Sequence, residues 1–383
     1  MKRSEHRILT THVGSLIRPP ELLALAKAAR KDPSHEAAYL EAERAAVRDV
    51  VKKQAEVGLD IINDGEFSKS SWANYILERL DGFEVRKDQL HRPEWLGRDL
   101  ERFPEVFAES MPHVMKGMPV QACVGPVRYR ETDAIQHALD DFLGALKTVE
   151  VEEAFFTAVA PASTAYDGVD EYYGNEHDYV YAVADALKTE YQAIHDAGLV
   201  LQVDDAVLAN MYDTLMQRSP ERYREWANLR IEALNHALED IPEDRIRYHV
   251  CFGSWHVPHM EDAPLEDIIE LVLKVKTQAF SIEAANARHE HEWRVWRTHK
   301  LRDDQILIPG VITHHTVVVE HPQLVADRIV RFAEIVGREN VIAGADCGFA
   351  QLEGIRRVPA SVQWAKFEAL VEGARIATKT LWS

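Results

Sequence analysis

The stretch Tyr248-His249-Val250-Cys251-Phe252-Gly253 decides how this chain is read. It closes an apolar run, 246–251, whose length and following glycine fit a buried parallel strand. Residues two apart on a strand point to the same face, so His249 and Cys251 project together. On a helix the same spacing would separate them. Two other short apolar runs end in the same way: 279–283 closes on Glu283, and 341–345 leads into Asp346-Cys347-Gly348. Strands lying side by side would bring these C-terminal ends together. Two thiols, an imidazole and a carboxylate suit zinc, which takes sulfur, nitrogen and oxygen in a tetrahedron. Each residue alone has a plainer explanation, because a buried Cys is usually a small hydrophobe and a strand His is usually structural. Cys123, in an apolar run with no His or second Cys nearby, takes that plainer explanation.

Working outward, the same pattern recurs along the chain. Apolar runs at 8–13, 59–62, 154–160, 199–203 and 306–312 join the three already named to make eight predicted strands. Between them lie helical patterns. Pro19-Pro20-Glu21 opens one, with Pro tolerated in a first turn. An Ala/Glu/Arg-rich helix is predicted over 36–56, with Gly58 as its C-cap. The segment 178–196 places Val183, Leu187, Tyr191 and Ile194 on one face, and 221–238 and a stripe of Val325, Ile329, Phe332 and Val336 read likewise. Strand then helix, repeated about eight times, predicts an α/β fold, a (β/α)8 TIM barrel with loop excursions. A doubly wound open sheet is the runner-up. No Gly-x-Gly-x-x-Gly follows a strand and no Walker loop is present, so nucleotide binding is not supported.

The 383 residues are expected to form a single barrel domain, 1–383, with an excursion over 85–130. Within it, 85–112 reads as irregular and polar, either a lid over the site or a solvated loop. Run 120–124 followed by Gly125-Pro126 reads as a strand and turn, forming a hairpin outside the main sheet. The formal net charge of −19 opposes nucleic acid and anionic membranes as partners. No stretch approaches the roughly 20 apolar residues of a spanning helix, and no signal peptide is evident, so a cytoplasmic protein is expected. Three Cys in so long a chain argue against a disulfide framework.

In a barrel, polar residues at the strand ends fall on the catalytic face. They are Ser15, Glu66, Asp204, His249, Cys251, Glu283, His315 and Cys347. Asp204 directly precedes Asp205, and either acid could face the site.

The order His249-x-Cys251-x-Gly253, Ile282-Glu283, Pro309-Gly310-Val311, Asp346-Cys347-Gly348 resembles cobalamin-independent methionine synthase, in its catalytic C-terminal half. The likeness runs from Thr10-Thr11-His12-Val13-Gly14-Ser15 to the Cys347 motif. It implies zinc held by His249, Cys251, Glu283 and Cys347, with homocysteine bound by Ser15, Glu66 and Asp204, and His315 as proton donor. The implied reaction has the zinc-activated thiolate of homocysteine attacking a methyl donor to give methionine. There are departures. The family's Asp-Glu-Pro is Asp204-Asp205-Ala206 here, and its Tyr-Asp-x-His is Ile312-Thr313-His314-His315. Thr313 therefore supplies no carboxylate to orient an imidazole, and His314 competes with His315 for the proton-donor role. The synthase's N-terminal half, which helps bind folate polyglutamate, is expected to be absent, leaving methyl-folate as one candidate donor.

The chain also resembles epoxyalkane:coenzyme M transferase, through Ile282-Glu283-Ala284-Ala285-Asn286-Ala287-Arg288-His289-Glu290-His291-Glu292 and Glu320-His321-Pro322. There a sulfonate-bearing thiol is alkylated by an epoxide. A sulfonate wants a cation, for which Arg18 and Arg128 are the candidates. A barrel with a purely structural zinc is the non-enzymatic alternative. The expected partners are a small-molecule thiol and an alkyl donor, and a homo-oligomer is compatible with the sequence.

Overall fold

A computed structural model describes residues 1–130, 133–166 and 168–383. The strands in chain order are β1 (Leu9–Thr10), β2 (Ile61–Ile62), β3 (Leu80–His91), β4 (Met118–Tyr129), β5 (Glu153–Val159), β6 (Val169–Asp170), β7 (Val200–Asp205), β8 (Ile246–Val250), β9 (Ala279–Ile282), β10 (Ile306–Ile312) and β11 (Ile342–Ala345). Eight of them form a parallel sheet in the order β1-β11-β10-β9-β8-β7-β5-β2. The remaining seam, β1 against β2, is bridged by Asp60. Its backbone N–H donates to Thr10 O (3.2 Å), and its carboxylate accepts from Thr10 N (2.8 Å). The sheet thus curls into a (β/α)8 barrel, and all eight predicted strands are in it.

Helices fill the crossovers. Glu36–Val57 ends at Gly58, whose φ of +95° is the left-handed C-cap that glycine adopts without strain. Glu176–Asp196 begins where the Asn175 side chain accepts from Asp178 N. Pro220–Ala237 begins where the Ser219 hydroxyl accepts from Arg222 N. Pro322–Val336 buries Val325, Ile329 and Phe332 as its stripe predicts.

Two apolar layers result. One lies between the sheet and the helices. The other, inside the barrel, is a plug of Leu9, Ile61, Phe155, Val200, Ala279, Ile306, Ile308 and Ile342. Above Phe155 lies the buried guanidinium of Arg247, 4.0 Å from the ring centroid. It donates to Thr11 Oγ1 (3.1 Å) and His12 O (2.7 Å). Arg247 therefore caps the plug and ties β8 across the barrel to the segment after β1.

The excursion departs from the sequence reading. Residues 85–112 are not irregular. Val85 lies inside the long strand β3, and helices follow at Gly97–Arg102, Pro104–Ser110 and Pro112–Met115. Nor is Gly125-Pro126 a turn. Both residues lie within β4, which pairs antiparallel with β3, and β6 adds in parallel on the other side. The register slips between Asp81 and Phe83, where Gly82 meets Gly125 and Pro126. A Cβ on Gly82 would fall 2.8 Å from both of their carbonyl oxygens, so the Gly-Pro pair marks a bulge. This three-stranded sheet is separate from the barrel sheet. Buried Glu190 fastens it, accepting from Arg79 Nη1 (2.9 Å), Tyr129 OH (2.7 Å) and Tyr75 OH.

Candidate active site

The turns after the strands build the site. After β1, Gly14 (φ +141°) lets Glu66 approach, since a Cβ there would lie 2.6 Å from Glu66 Oε1. After β2, Asn63 and Asp64 cap the turn through Gly65 N (2.8 Å) and Glu66 N (3.0 Å). Glu66 itself sits at φ +59°, an uncommon conformation for a residue with a side chain. Ser15 abuts Gly348 from the far end of the sequence. A Cβ on Gly348 would fall 1.9 Å from Ser15 Oγ, and Phe349 N donates to Ser15 O (2.8 Å). Barrel closure thus joins the first and last motifs.

Ser15, Glu66, Asp204, His249, Cys251 and Cys347 line one cavity of about 170 Å³. All six side chains are buried. Burial raises Glu66, and burial with the charge of Glu66 pushes Asp204 up to about 7. Glu66 Oε2 has no partner, whereas Asp204 Oδ1 accepts from Gln202 Nε2 (2.6 Å). The two adjacent aspartates separate by role. Asp205 accepts from Ser163 Oγ (3.0 Å), Tyr248 OH (2.9 Å) and Val207 N (3.0 Å), a structural cap. Asp204 is the freer carboxylate.

His249, Cys251 and Cys347 each offer a ligand atom, all within 4.8 Å of one another. The two sulfurs are 3.5 Å apart, far from a disulfide and close to the roughly 3.8 Å that two thiolates take around one tetrahedral zinc. His249 Nδ1 meets Ser281 Oγ (3.2 Å), and its Nε2 is buried without a partner. That leaves one ring nitrogen fixed by a hydroxyl and the other free, as a metal-ligating imidazole requires. The residues fit a zinc ion. The hydrogen bond between the sulfurs raises Cys251 and lowers Cys347, while burial and then the Cys347 and Asp346 charges raise Glu283.

Glu283 is engaged elsewhere in this arrangement. Its Oε1 accepts from Phe252 N (3.1 Å) and its Oε2 from Asn286 Nδ2 (2.7 Å). Its carboxylate groups with His314 and His315, again within 4.8 Å. Glu283 and His315 line a neighbouring cavity rather than the one holding the sulfurs. His314 is wholly buried and neither ring nitrogen has a partner. His315 Nε2 is also unpartnered, and burial with the nearby His259 and His256 pulls His315 down to about 3.

Several residues around the site have no role assigned by the sequence pattern. His289 donates to Asp262 (3.1 Å) and Glu292 (2.7 Å). Burial opposes its charge, yet these acids raise it to about 10. His259, 5.1 Å from the His315 ring, leans on Asp262 (2.9 Å). Trp72, Trp95 and Trp255 wall the sulfur cavity. The cation candidates differ from expectation. Arg18 is buried and spends its guanidinium on the carbonyls of Ala350 (2.9 Å), Glu66 (2.6 Å) and Lys69 (2.9 Å). Arg128 is exposed on β4. Arg357 lines the cavity instead.

The fold agrees with comparisons to known proteins. The chain is 23% identical to a methionine synthase of Thermococcus kodakarensis, over 97% of this chain and 94% of that one. It is 22% identical to a 2-hydroxypropyl-CoM lyase of Xanthobacter autotrophicus, over 88% and 85%. In fold it is similar to a B12-independent methionine synthase from Shewanella solved with selenomethionine. That match has a TM-score of 0.72 and 17% identity, and covers 98% of this chain and 99% of that one. The family described as "Cobalamin-independent synthase, Catalytic domain" matches residues 8–110 and 169–366, well over half the chain. The chain therefore belongs to the cobalamin-independent synthase catalytic-domain family.

Proposed function

We propose that the protein is a zinc-dependent thiol S-methyltransferase that methylates homocysteine to methionine. The observation that carries this reading is one buried cavity holding His249, Cys251 and Cys347 together with Ser15, Glu66 and Asp204. His249, Cys251 and Cys347 would hold the ion, and Glu283 would serve as the fourth ligand on turning from its bonds to Phe252 and Asn286. Bound zinc would keep a substrate thiol ionised near neutral pH, which makes it a nucleophile.

The chain's own residues do the rest. Glu66 and Asp204 present two carboxylates to the substrate ammonium, and burial strengthens that attraction. The Ser15 hydroxyl donates to the substrate carboxylate. The Trp72, Trp95 and Trp255 walls exclude water from the thiolate. His315 would relay a proton to the leaving atom: its ring, neutral at rest, takes one up from solvent at one nitrogen as it gives one from the other. His91, Trp95, Met111, Val114 and Met118 of the excursion also line the cavity, so we assign this segment the role of a cover over the site.

Isothermal titration of zinc-loaded protein with homocysteine tests the reading, and saturable binding at one site per chain is expected. Absence of homocysteine binding contradicts it. A second reading, alkylation of a sulfonate-bearing thiol by an epoxide, draws on the lyase relative and on Arg357 in the same cavity.

A further inference from the structure

Arg357 stands apart from every other cation near the site. Among the described residues lining the sulfur cavity it is the one Lys or Arg. Its Nε donates to Gln351 Oε1 (2.8 Å), and its backbone N–H donates to Phe349 O (2.9 Å), so the side chain leaves a braced segment. No carboxylate of the described residues pairs with it. The titratable groups that bear on it are the sulfurs of Cys347 and Cys251. Its charge also bears on His256, His314 and His315. The cavity thus holds the acids Glu66 and Asp204 and a single guanidinium, that of Arg357.

Arg357 is half-buried, and its terminal nitrogens make no hydrogen bond to the described residues, so they are open to a ligand in the cavity. The planar fork matches a carboxylate or sulfonate with two parallel hydrogen bonds. Gln351 is suited to aim that fork. It holds Nε through its Oε1, while its own amide donates to Gly348 O beside Cys347. The aiming group is therefore tied to the metal-ligand motif itself.

We propose that Arg357 is a substrate-binding residue that receives an oxyanion, a carboxylate or sulfonate, within the sulfur cavity. The inference rests on the thiol-transfer reading above. The oxyanion belongs either to the thiol or to the alkyl donor, and the arms of the test separate these sources.

The first arm titrates zinc-loaded wild type, R357K and R357Q with 2-mercaptoethanesulfonate and with 2-mercaptoethanol, its neutral analogue. The second titrates the same proteins with 5-methyltetrahydropteroyltriglutamate in the presence of homocysteine. If the thiol carries the oxyanion, wild type prefers the sulfonate thiol by at least about tenfold, R357Q abolishes the preference and R357K keeps part of it. If the donor carries it, the thiols bind alike and R357Q weakens the pteroylglutamate by a similar factor. Zinc content and melting temperature are measured alongside. A loss of zinc or of fold in both variants, with ligand preferences unchanged, assigns Arg357 a structural role and overturns the inference. Equal thiol binding with an unaltered donor titration also overturns it, while leaving the thiol-transfer reading standing. Failure of every thiol to bind overturns both.

Discussion

Along β7 the barrel interior changes character within five residues. Val200 packs in the apolar plug with Leu9, Ile61 and Phe155, whereas Gln202 and Asp204, two and four positions on, are polar and buried. β9 and the residue after it repeat the change as Ala279, Ser281 and Glu283, and β8 with the residue after it carries Arg247, His249 and Cys251. Because strand side chains alternate, each of these series lies on one face. The same face therefore stabilises the barrel at its N-terminal end and gathers reactive groups at its C-terminal end. The apolar end supplies the rigidity that lets unpartnered polar atoms, such as His249 Nε2 and Glu66 Oε2, persist at the other.

If the two ends are separable in this way, substitutions at each should leave the other intact. The largest effect is expected at the polar end. Cys251→Ser and Cys347→Ser should each abolish stoichiometric zinc and lower methyl-transfer turnover by roughly a thousandfold or more. Their melting temperatures should stay within about 3 °C of the metal-free wild type, since most of the core lies elsewhere. Metal analysis with calorimetry checks this, and a variant that unfolds on losing zinc would break the comparison.

The converse substitution is Phe155→Ala in the plug. It should destabilise by about 3–5 kcal/mol in denaturant titration, the usual cost of emptying a buried phenyl site. The surviving folded protein should keep its zinc. A smaller effect sharpens the polar end alone. Asp204→Asn should weaken homocysteine binding by roughly 10- to 100-fold, through loss of a buried charge partner. The carboxyl group of Asp204 titrates at about 7, raised by burial and by Glu66. It is charged above that pH and neutral below it. Wild-type affinity should therefore fall as pH drops from 8 to 6, and the Asn variant should show a flatter profile.

The barrel was legible because its strands are buried on both sides and read as short apolar runs, each ended by a polar residue or glycine. Ser15, Glu66, Asp204, His249, Cys251 and Cys347 were found by that rule, and the structure brings these six to one cavity. β3 escaped because Leu80–His91 is mostly exposed or half-buried and shows no alternation to detect. What orders it is the ladder with β4, a partner beginning 27 residues after it ends, which no local window contains. Arg357 escaped for a related reason. It follows an irregular turn beyond the last strand, where no periodicity assigns a direction to a side chain. Placing Glu283 with His314 and His315 rather than against the sulfurs also depends on tertiary geometry, because spacing orders strand ends but does not fix a rotamer.

X-ray absorption at the zinc edge, on loaded protein with and without homocysteine, tests most directly whether His249, Cys251 and Cys347 hold a metal that activates a substrate thiol. The account predicts two sulfur ligands in the free protein and three with homocysteine bound. An unchanged shell under saturating homocysteine would contradict it and leave the metal a structural staple.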